Sequence, residues 1–150
     1  MVSALIHGNE VCGAIALDHL LSSSFAPDRG RLIVAFANVA AFSSFDTAAP
    51  YASRFIDEDM NRLWSREILD GTRQSVELAR ARELRPFAEA ANFLLDLHST
   101  SLPAPAMLLC GNREKGRLLA AKMGYPLHVV ADEGHISGVR LRDFGDFNND

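Results

Sequence analysis

Short apolar runs alternate along this chain with longer helical patterns, and this alternation restricts the fold more than any other feature. The strand-like runs are residues 2–6, 31–37, 93–98, 106–110 and 127–131. The helical patterns are residues 11–22, 72–91 and 113–123. Because strands that alternate with helices form sheets covered by those helices, this order predicts an α/β fold with a mixed, largely parallel sheet and helices on both faces.

Glycine, proline and apolar residues define the predicted helices further. Gly124 is expected to end the third helix, since glycine tolerates the left-handed conformation found there. Pro86 is expected either to kink the helix 72–91 or to begin a second one. Residues 40–53 are predicted to be a loop, and the sequence after Asp132 has no assignable pattern. The first helix has a broad apolar face composed of Val11, Ile15, Leu17, Leu20 and Leu21.

Size and charge exclude several classes of function. The 150 residues, 48% of them hydrophobic, suffice for one core and predict one domain, residues 1–150. A net charge of −4 lacks the basic excess that nucleic-acid binding needs, so no nucleic-acid partner is expected. The apolar runs are far shorter than the roughly 20 residues that span a bilayer. The N-terminus also lacks the positive region of a secretory signal. We therefore expect a cytoplasmic protein without membrane association.

The two cysteines, Cys12 and Cys110, lie far apart in the sequence and in apolar surroundings. This setting is typical of reduced thiols in a core, and disulfides are rare in cytosolic proteins. We therefore expect two buried, unpaired cysteines.

Candidate metal ligands follow the first predicted strand, where residues 7–10 read H-G-N-E. A spacing of three residues at a helix start lets the imidazole of His7 and the carboxylate of Glu10 converge on one ion. A third ligand is available in His98, at the end of another apolar run. Ligands of open α/β sheets tend to lie at such carboxyl ends of strands. Two histidines and one glutamate form a recurrent catalytic zinc set with one position left for water, so the residues predict one Zn²⁺ per chain.

A third polar cluster, residues 54–62, makes this interpretation more specific. Alone, a helix-start glutamate or a strand-end histidine is more often structural than a ligand, and the cluster's composition alone fits a solvated loop. However, Arg54 and Arg62 flank an acidic patch, and Asn61 precedes the second arginine. Guanidinium groups can bind a carboxylate bidentately or polarise a carbonyl, and the carboxylates between them can orient a metal-bound imidazole.

The motifs H-G-N-E, R-x-x-D-x-D-x-N-R and D-L-H-S-T, in this order, resemble those of the succinylglutamate desuccinylase and aspartoacylase family, whose members are related to the zinc carboxypeptidases. The resemblance is strong over residues 4–100 and becomes weaker toward residue 150. It implies a zinc carboxypeptidase-like fold and a zinc-dependent hydrolase.

The resemblance also implies a role for each matching residue. Arg54 would polarise the scissile carbonyl and stabilise the oxyanion, which makes it the candidate catalytic residue. Arg54, Asn61 and Arg62 would bind the substrate, the last two through its carboxylate. Asp59 would orient the first zinc histidine. The implied zinc ligands are His7, Glu10 and His98.

One group that the family uses is missing from the pattern. The family's general-base glutamate follows the third zinc ligand, in a strand segment similar to V-E-C-G or I-E-V-G, and the 150 residues contain no such segment. Glu133 is the only glutamate after Glu114, and its surroundings predict a loop, so the role is not transferred to it. Only six residues precede His7, and a loop is predicted at 148–150. Together with the missing glutamate segment, these observations suggest a fragment that lacks the family's N-terminal strands and its general base. Whether it is active or metal-loaded alone stays open.

Three functions remain open for such a site. The first is a deacylase that cleaves an amide or ester bond in a small carboxylate-bearing substrate, such as an N-acyl amino acid. The second is a carboxypeptidase-type peptidase, and the third is a non-catalytic ligand-binding module with a vestigial metal site. The loop at 102–105 is expected to shape the substrate pocket. The sequence determines neither the acyl group nor the oligomeric state.

The remaining charged and histidine residues give weaker signals. Arg140 and Arg142 are expected to be mainly solvated charges, although substrate contacts are possible. His19 and His128 lack partners at metal-ligand spacing, and although the loop of His135 could approach a cleft, no pattern places this histidine in the site.

Overall fold

A computed structural model of the chain describes residues 1–148. The strands are β1 (Val2–Ala4), β2 (Val34–Phe36), β3 (Leu95–Leu97), β4 (Met107–Leu109) and β5 (His128–Val130). The helices are α1 (Val11–Ser22), α2 (Val39–Phe42), α3 (Arg66–Asp70), α4 (Val76–Glu89) and α5 (Glu114–Met123). Short 3₁₀ helices span Pro50–Ser53, Met60–Arg62, Leu141–Asp143 and Gly145–Asn148. The last part of the loop predicted at 148–150 lies outside the described residues.

The strands pair in parallel, as expected for strands linked by helices. β1 is the centre of a three-stranded sheet in the order β2-β1-β3, and β4 pairs with β5 in a second sheet. In the first sheet Ser3 is in register with Ala35 on one side and with Asp96 on the other. The carboxyl ends of β1 and β3 therefore lie next to each other at one edge.

Helices cover both faces of the first sheet. A Cβ added at Gly13 of α1 would lie 2.9 Å from the Leu97 Cβ and 3.0 Å from the Ala4 Cβ, so glycine allows α1 to approach this face closely. Successive strand residues point to opposite faces. Ala35 accordingly packs on the other face, in a core shared with Leu78 of α4. The predicted α/β fold with helices on both faces is confirmed.

Residues 40–53 were predicted to be a loop, and this prediction is wrong in two places. The side chain of Asn38 accepts a hydrogen bond from the Ala41 backbone N–H and thereby caps α2. Pro50 begins the 3₁₀ helix that follows, at a position where its missing N–H is not needed. Both helices are one turn long, too short to show a period in the sequence.

The predicted ends of the longer helices are partly confirmed. α1 and α5 agree with the predicted helices, and Gly124 ends α5 with a φ of 68°. α4 begins only at Val76, because the Ser75 hydroxyl accepts a hydrogen bond from the Leu78 N–H as an N-cap. Pro86 lies within α4 and begins no second helix.

Two expectations about burial differ from the structure. On the predicted apolar face of α1, Leu17 is buried, but Ile15 and Leu21 are 65% and 55% exposed. Both cysteines are unpaired, yet Cys12 is exposed and Cys110 is only partly buried, so neither is a core thiol.

Among residues 1–148, no helix has the length and hydrophobicity that a bilayer crossing requires.

Residues after Asp132, for which no element was predicted, pack against the 3₁₀ helix Met60–Arg62 and its continuation. Val139 forms a parallel bridge with Leu63 and accepts a hydrogen bond from the Trp64 N–H at 3.1 Å. Leu141 is fully buried in the core. This contact places the end of the described chain beside the polar cluster 54–62.

Candidate metal centre

The three predicted ligands meet at the edge where β1 and β3 end. His7 follows β1, His98 follows β3 directly, and Glu10 is the N-cap residue of α1. The side chain of Glu10 makes no capping hydrogen bond and turns toward the two imidazoles instead. One donor atom from each of the three residues lies within 4.8 Å of the others.

Glycine between the first two ligands allows a close approach of backbone segments. A Cβ at Gly8 would lie 2.4 Å from the Ser53 carbonyl oxygen and 2.5 Å from backbone atoms of Ala41 and Phe42. The Gly8 N–H donates to the Arg54 carbonyl oxygen at 3.0 Å. The H-G-N-E turn thus packs directly on the segment that carries Arg54.

Each imidazole has one nitrogen toward Glu10 and the other toward a second carboxylate. Nδ1 of His7 and Nδ1 of His98 lie 2.8 Å from the two oxygens of Glu10. Nε2 of His7 lies 2.9 Å from Asp59 Oδ1, and Nε2 of His98 lies 2.7 Å from Asp96 Oδ2. A carboxylate on one ring nitrogen fixes the tautomer that leaves the other free for a metal, which is the usual environment of a ligating histidine.

The surrounding carboxylates change the pKa values of the site. Burial by itself lowers the pKa of His98, but Asp96 and Glu10 outweigh it and raise this pKa to about 10. Burial likewise lowers the pKa of His7, and its hydrogen bonds to Asp59 and Glu10 reverse the direction. Burial raises the pKa of Asp59, but the interaction with His7 outweighs it and holds this pKa at about 2. The ionised carboxylates make the position between the imidazoles favourable for a cation.

The residues fit a divalent metal. Two imidazole nitrogens and one carboxylate oxygen are a donor set that zinc takes in catalytic sites, with one position left for water or substrate. His7 and Glu10 are each only 3% exposed, whereas His98 lies exposed at the rim. A metal bound there would therefore be anchored in the interior and open on one side.

Arg54 lies at the border of this group. Its NH1 donates to Glu10 Oε1 at 3.2 Å, and its NH2 lies 3.0 Å from His7 Nε2. The same NH2 is 4.0 Å from Asp59 Oδ2. The structure thus brings the predicted catalytic arginine to the predicted metal ligands.

The other predicted residues of the polar cluster are linked through Asp59. Its Oδ1 accepts the Asn61 backbone N–H at 2.8 Å, and its Oδ2 lies 3.7 Å from Arg62 NH2. Asn61 is buried, and its side-chain oxygen accepts the Leu141 N–H at 3.0 Å. The side-chain oxygen of Asn61 is therefore occupied by a hydrogen bond within the fold. A substrate contact of this side chain would have to use the side-chain amide nitrogen.

The model of the succinylglutamate desuccinylase/aspartoacylase catalytic domain matches residues 1–134 of the chain. The chain belongs to this family. The resemblance predicted from its motifs is therefore confirmed. A probable aspartoacylase of Parasynechococcus marenigrum (strain WH8102) is 29% identical over 133 residues, which are 82% of this chain and 42% of that protein. An N-acyl-aromatic-L-amino acid amidohydrolase (carboxylate-forming) of Xenopus laevis is 27% identical over an alignment that covers 87% of this chain and 47% of that protein.

Solved structures show the same fold as this desuccinylase/aspartoacylase family chain. The E177A mutant of murine aminoacylase 3 has a TM-score of 0.68 at 23% identity. The aligned region covers 93% of this chain and 49% of the aminoacylase chain. Succinylglutamate desuccinylase from Vibrio parahaemolyticus has a TM-score of 0.65 at 16% identity, with coverages of 98% and 53%. The fold class predicted from the resemblance is confirmed. The chain spans about half the length of the relatives it matches.

Sequence analysis missed one residue of the family chain's site, Asp96. Its side chain is 8% exposed and lies between His98 Nε2 and the Ser3 hydroxyl, which donates to it at 2.5 Å. The D-x-H order carried part of the signal, because residues two apart on a strand point to the same face. Asp96 contacts Nε2 of His98 in the same way as Asp59 contacts Nε2 of His7.

Asp96→Asn is expected to weaken zinc binding by about 10- to 100-fold, since the amide can no longer hold the His98 imidazole as a carboxylate does. The zinc dissociation constant, measured by competition with a chromophoric chelator, tests this. Asp18→Asn, an exposed change on α1, is the control and should leave the constant unchanged. Equal zinc affinity in Asp96→Asn and the control would show that Asp96 does not orient the ligand.

Arg140 and Arg142 are paired with carboxylates rather than solvated, so that expectation is wrong. Arg140 is only 9% exposed and binds both oxygens of Asp132 as well as Asp143. Arg142 contacts the same two aspartates. Burial raises the pKa of Asp132, but the hydrogen bonds from Arg140 and from the Gly134 N–H, together with the charge of Arg142, outweigh it and hold this pKa at about 2. Glu133, beside this cluster, is exposed and outside any strand.

Proposed function

We propose that this chain is part of a zinc-dependent hydrolase that cleaves the amide bond of a small N-acyl amino acid. The observation that carries the proposal is the convergence of His7, Glu10 and His98, each imidazole backed by a further carboxylate. Family membership supports a hydrolase of the deacylase type. One zinc ion per chain follows from the number of ligands.

The residues of the site would divide the chemistry among them. A zinc ion held by the three ligands supplies Lewis acidity and lowers the pKa of a water molecule toward about 7. Arg54 would stabilise the negative charge that develops on the scissile carbonyl oxygen, because its guanidinium lies 3.2 Å from Glu10 at the border of the ligand group. Asp59 would keep the His7 imidazole in the tautomer that presents Nδ1.

A free carboxylate on the substrate would bind at Arg62. Its guanidinium lies 3.7 Å from Asp59, on the same side of the site as Arg54. Arginine suits this role because its planar donors match both oxygens of a carboxylate. The names of the relatives, an aspartoacylase and an amidohydrolase of N-acyl aromatic amino acids, support N-acyl amino acids as the substrate class.

The proposal assigns no general base within residues 1–148. Glu133, the candidate by position in the sequence, is exposed and lines a cleft with Asp132 and His135. We propose that the base belongs to a segment outside these 150 residues.

Turnover by the protein as its gene encodes it tests the function. N-acetyl amino acids and N-succinylglutamate should be hydrolysed, and the same compounds with their α-carboxylate amidated should lose at least about tenfold in kcat/KM, by the loss of one charge-assisted bidentate contact. Cleavage of peptides in preference to N-acyl amino acids would indicate a carboxypeptidase instead. A zinc-loaded protein that turns over none of these compounds would favour a binding module.

A further inference from the structure

A buried carboxylate outside the metal centre controls the segment between two of its residues. Glu77 lies in the first turn of α4 and is 0% exposed. Burying a charged group costs free energy unless hydrogen bonds replace its water. Glu77 accepts four: one from the Asn38 side chain at 3.1 Å, and three from consecutive backbone N–H groups. The three backbone donors are Ile56 at 2.6 Å, Asp57 at 3.0 Å and Glu58 at 3.2 Å.

These backbone donors form the link between Arg54 and Asp59. The link also accepts a hydrogen bond from α4, because Asp57 Oδ2 accepts the Val76 N–H at 2.7 Å. At its start, the Arg54 carbonyl is held by the Gly8 N–H. The path from Arg54 to Asp59 therefore has one fixed end at the ligand turn and a central anchor at Glu77.

We propose that Glu77 is a positioning residue that sets Arg54 and Asp59 against the metal ligands by ordering residues 56–58. Glu77 makes no contact with the ligand group and acts through the backbone of this link. The inference rests on the proposed function as far as turnover is concerned. It also concerns zinc affinity, because Asp59 holds the His7 imidazole.

Glutamine at position 77 cannot replace this arrangement. One oxygen of Glu77 accepts Asn38 and Ile56, and the other accepts Asp57 and Glu58. Glutamine has a single acceptor oxygen, so either pair of donors would face its NH₂ group. Two of the four hydrogen bonds are lost in each orientation, while volume and packing stay nearly the same. Glu77→Gln thus weakens the anchor without creating a cavity.

The test combines Glu77→Gln with Arg54→Ala. Glu77→Gln alone should lower kcat by about 10- to 100-fold, since a small displacement of a catalytic group costs this much, with little change in KM. In the Arg54→Ala background the same substitution should lower kcat by less than about threefold, because residues that act together are not additive. Equal losses in the two backgrounds would overturn the proposal, since a general structural effect is additive.

Zinc affinity provides a readout without turnover. Glu77→Gln should raise the zinc dissociation constant by about tenfold through the displaced Asp59. The control is Glu83→Gln on the exposed side of the same helix, which should change neither quantity. Zinc affinity equal to that of the parent would contradict the inference, even if the parent has no activity. An inactive parent would contradict the proposed function alone.

A second variant keeps the test valid if Glu77→Gln fails to fold. Asp57→Ala removes the opposite tie to α4, and Asp57 is exposed, so its loss should not disturb the core. We expect the same direction of change in kcat and zinc affinity, with a smaller size. If a folded Asp57→Ala protein has the kcat and the zinc affinity of the parent, the positioning role of this anchor is overturned.

Discussion

Replacing Arg54 by alanine is expected to lower kcat by about 10²–10³-fold, the loss typical of removing a donor to a developing oxyanion. Zinc should remain bound, because Arg54 is none of the three ligands, although its guanidinium lies 3.2 Å from Glu10 and 3.0 Å from His7. The measurement is kcat on an N-acyl amino acid together with metal content, on the protein as its gene encodes it.

Arg66→Ala is the matched control, since Arg66 is an exposed arginine whose ion pair with Glu89 is 3.9 Å long. Surface ion pairs of this kind contribute little, so activity should stay at the parent value. A kcat of Arg54→Ala within about threefold of the parent would remove Arg54 from the chemistry, given that oxyanion donors contribute far more than this.

The second large effect is expected for Gly8→Ala, which should destabilise the fold by about 3 kcal/mol, at the upper end of overpacking costs. The new Cβ would meet backbone atoms of Ser53, Ala41 and Phe42 at 2.4–2.5 Å, and backbone cannot move aside as a flexible side chain can. For a chain of this size the melting temperature should fall by roughly 6–12 °C.

Gly30→Ala separates crowding from backbone strain. A Cβ at Gly30 meets nothing within 4 Å, and only its φ of 79° opposes alanine, a cost of about 1 kcal/mol. Thermal unfolding followed by circular dichroism measures both variants. If Gly8→Ala is no less stable than Gly30→Ala, the ligand turn and the Arg54 segment are not packed as closely as described.

Sequence patterns indicated the three candidate metal ligands because their positions follow from local rules. His7 and Glu10 are three residues apart in the turn that precedes α1, and His98 directly follows a strand, so each signal lies within a few residues. Asp96 obeys an equally local rule. Its role became visible only with the register of the sheet, which brings the Ser3 hydroxyl to its second oxygen.

Other features depend on contacts between distant residues and could not be predicted locally. Glu77 was part of an ordinary helical pattern, and its function depends on a loop about 20 residues earlier. The pairing of Arg140 with Asp132 requires the chain to fold back, which composition cannot show. An apolar pattern also does not reveal what a face packs against, as the exposed Ile15 demonstrates.

The central claim is that His7, Glu10 and His98 hold one zinc ion, and metal content after dialysis tests it most directly. Elemental analysis should find close to one zinc per chain in the parent and in His19→Ala, whose histidine is exposed in the last turn of α1. His7→Ala and His98→Ala should each contain almost none. A folded parent without zinc, or histidine variants that retain it, would contradict the claim.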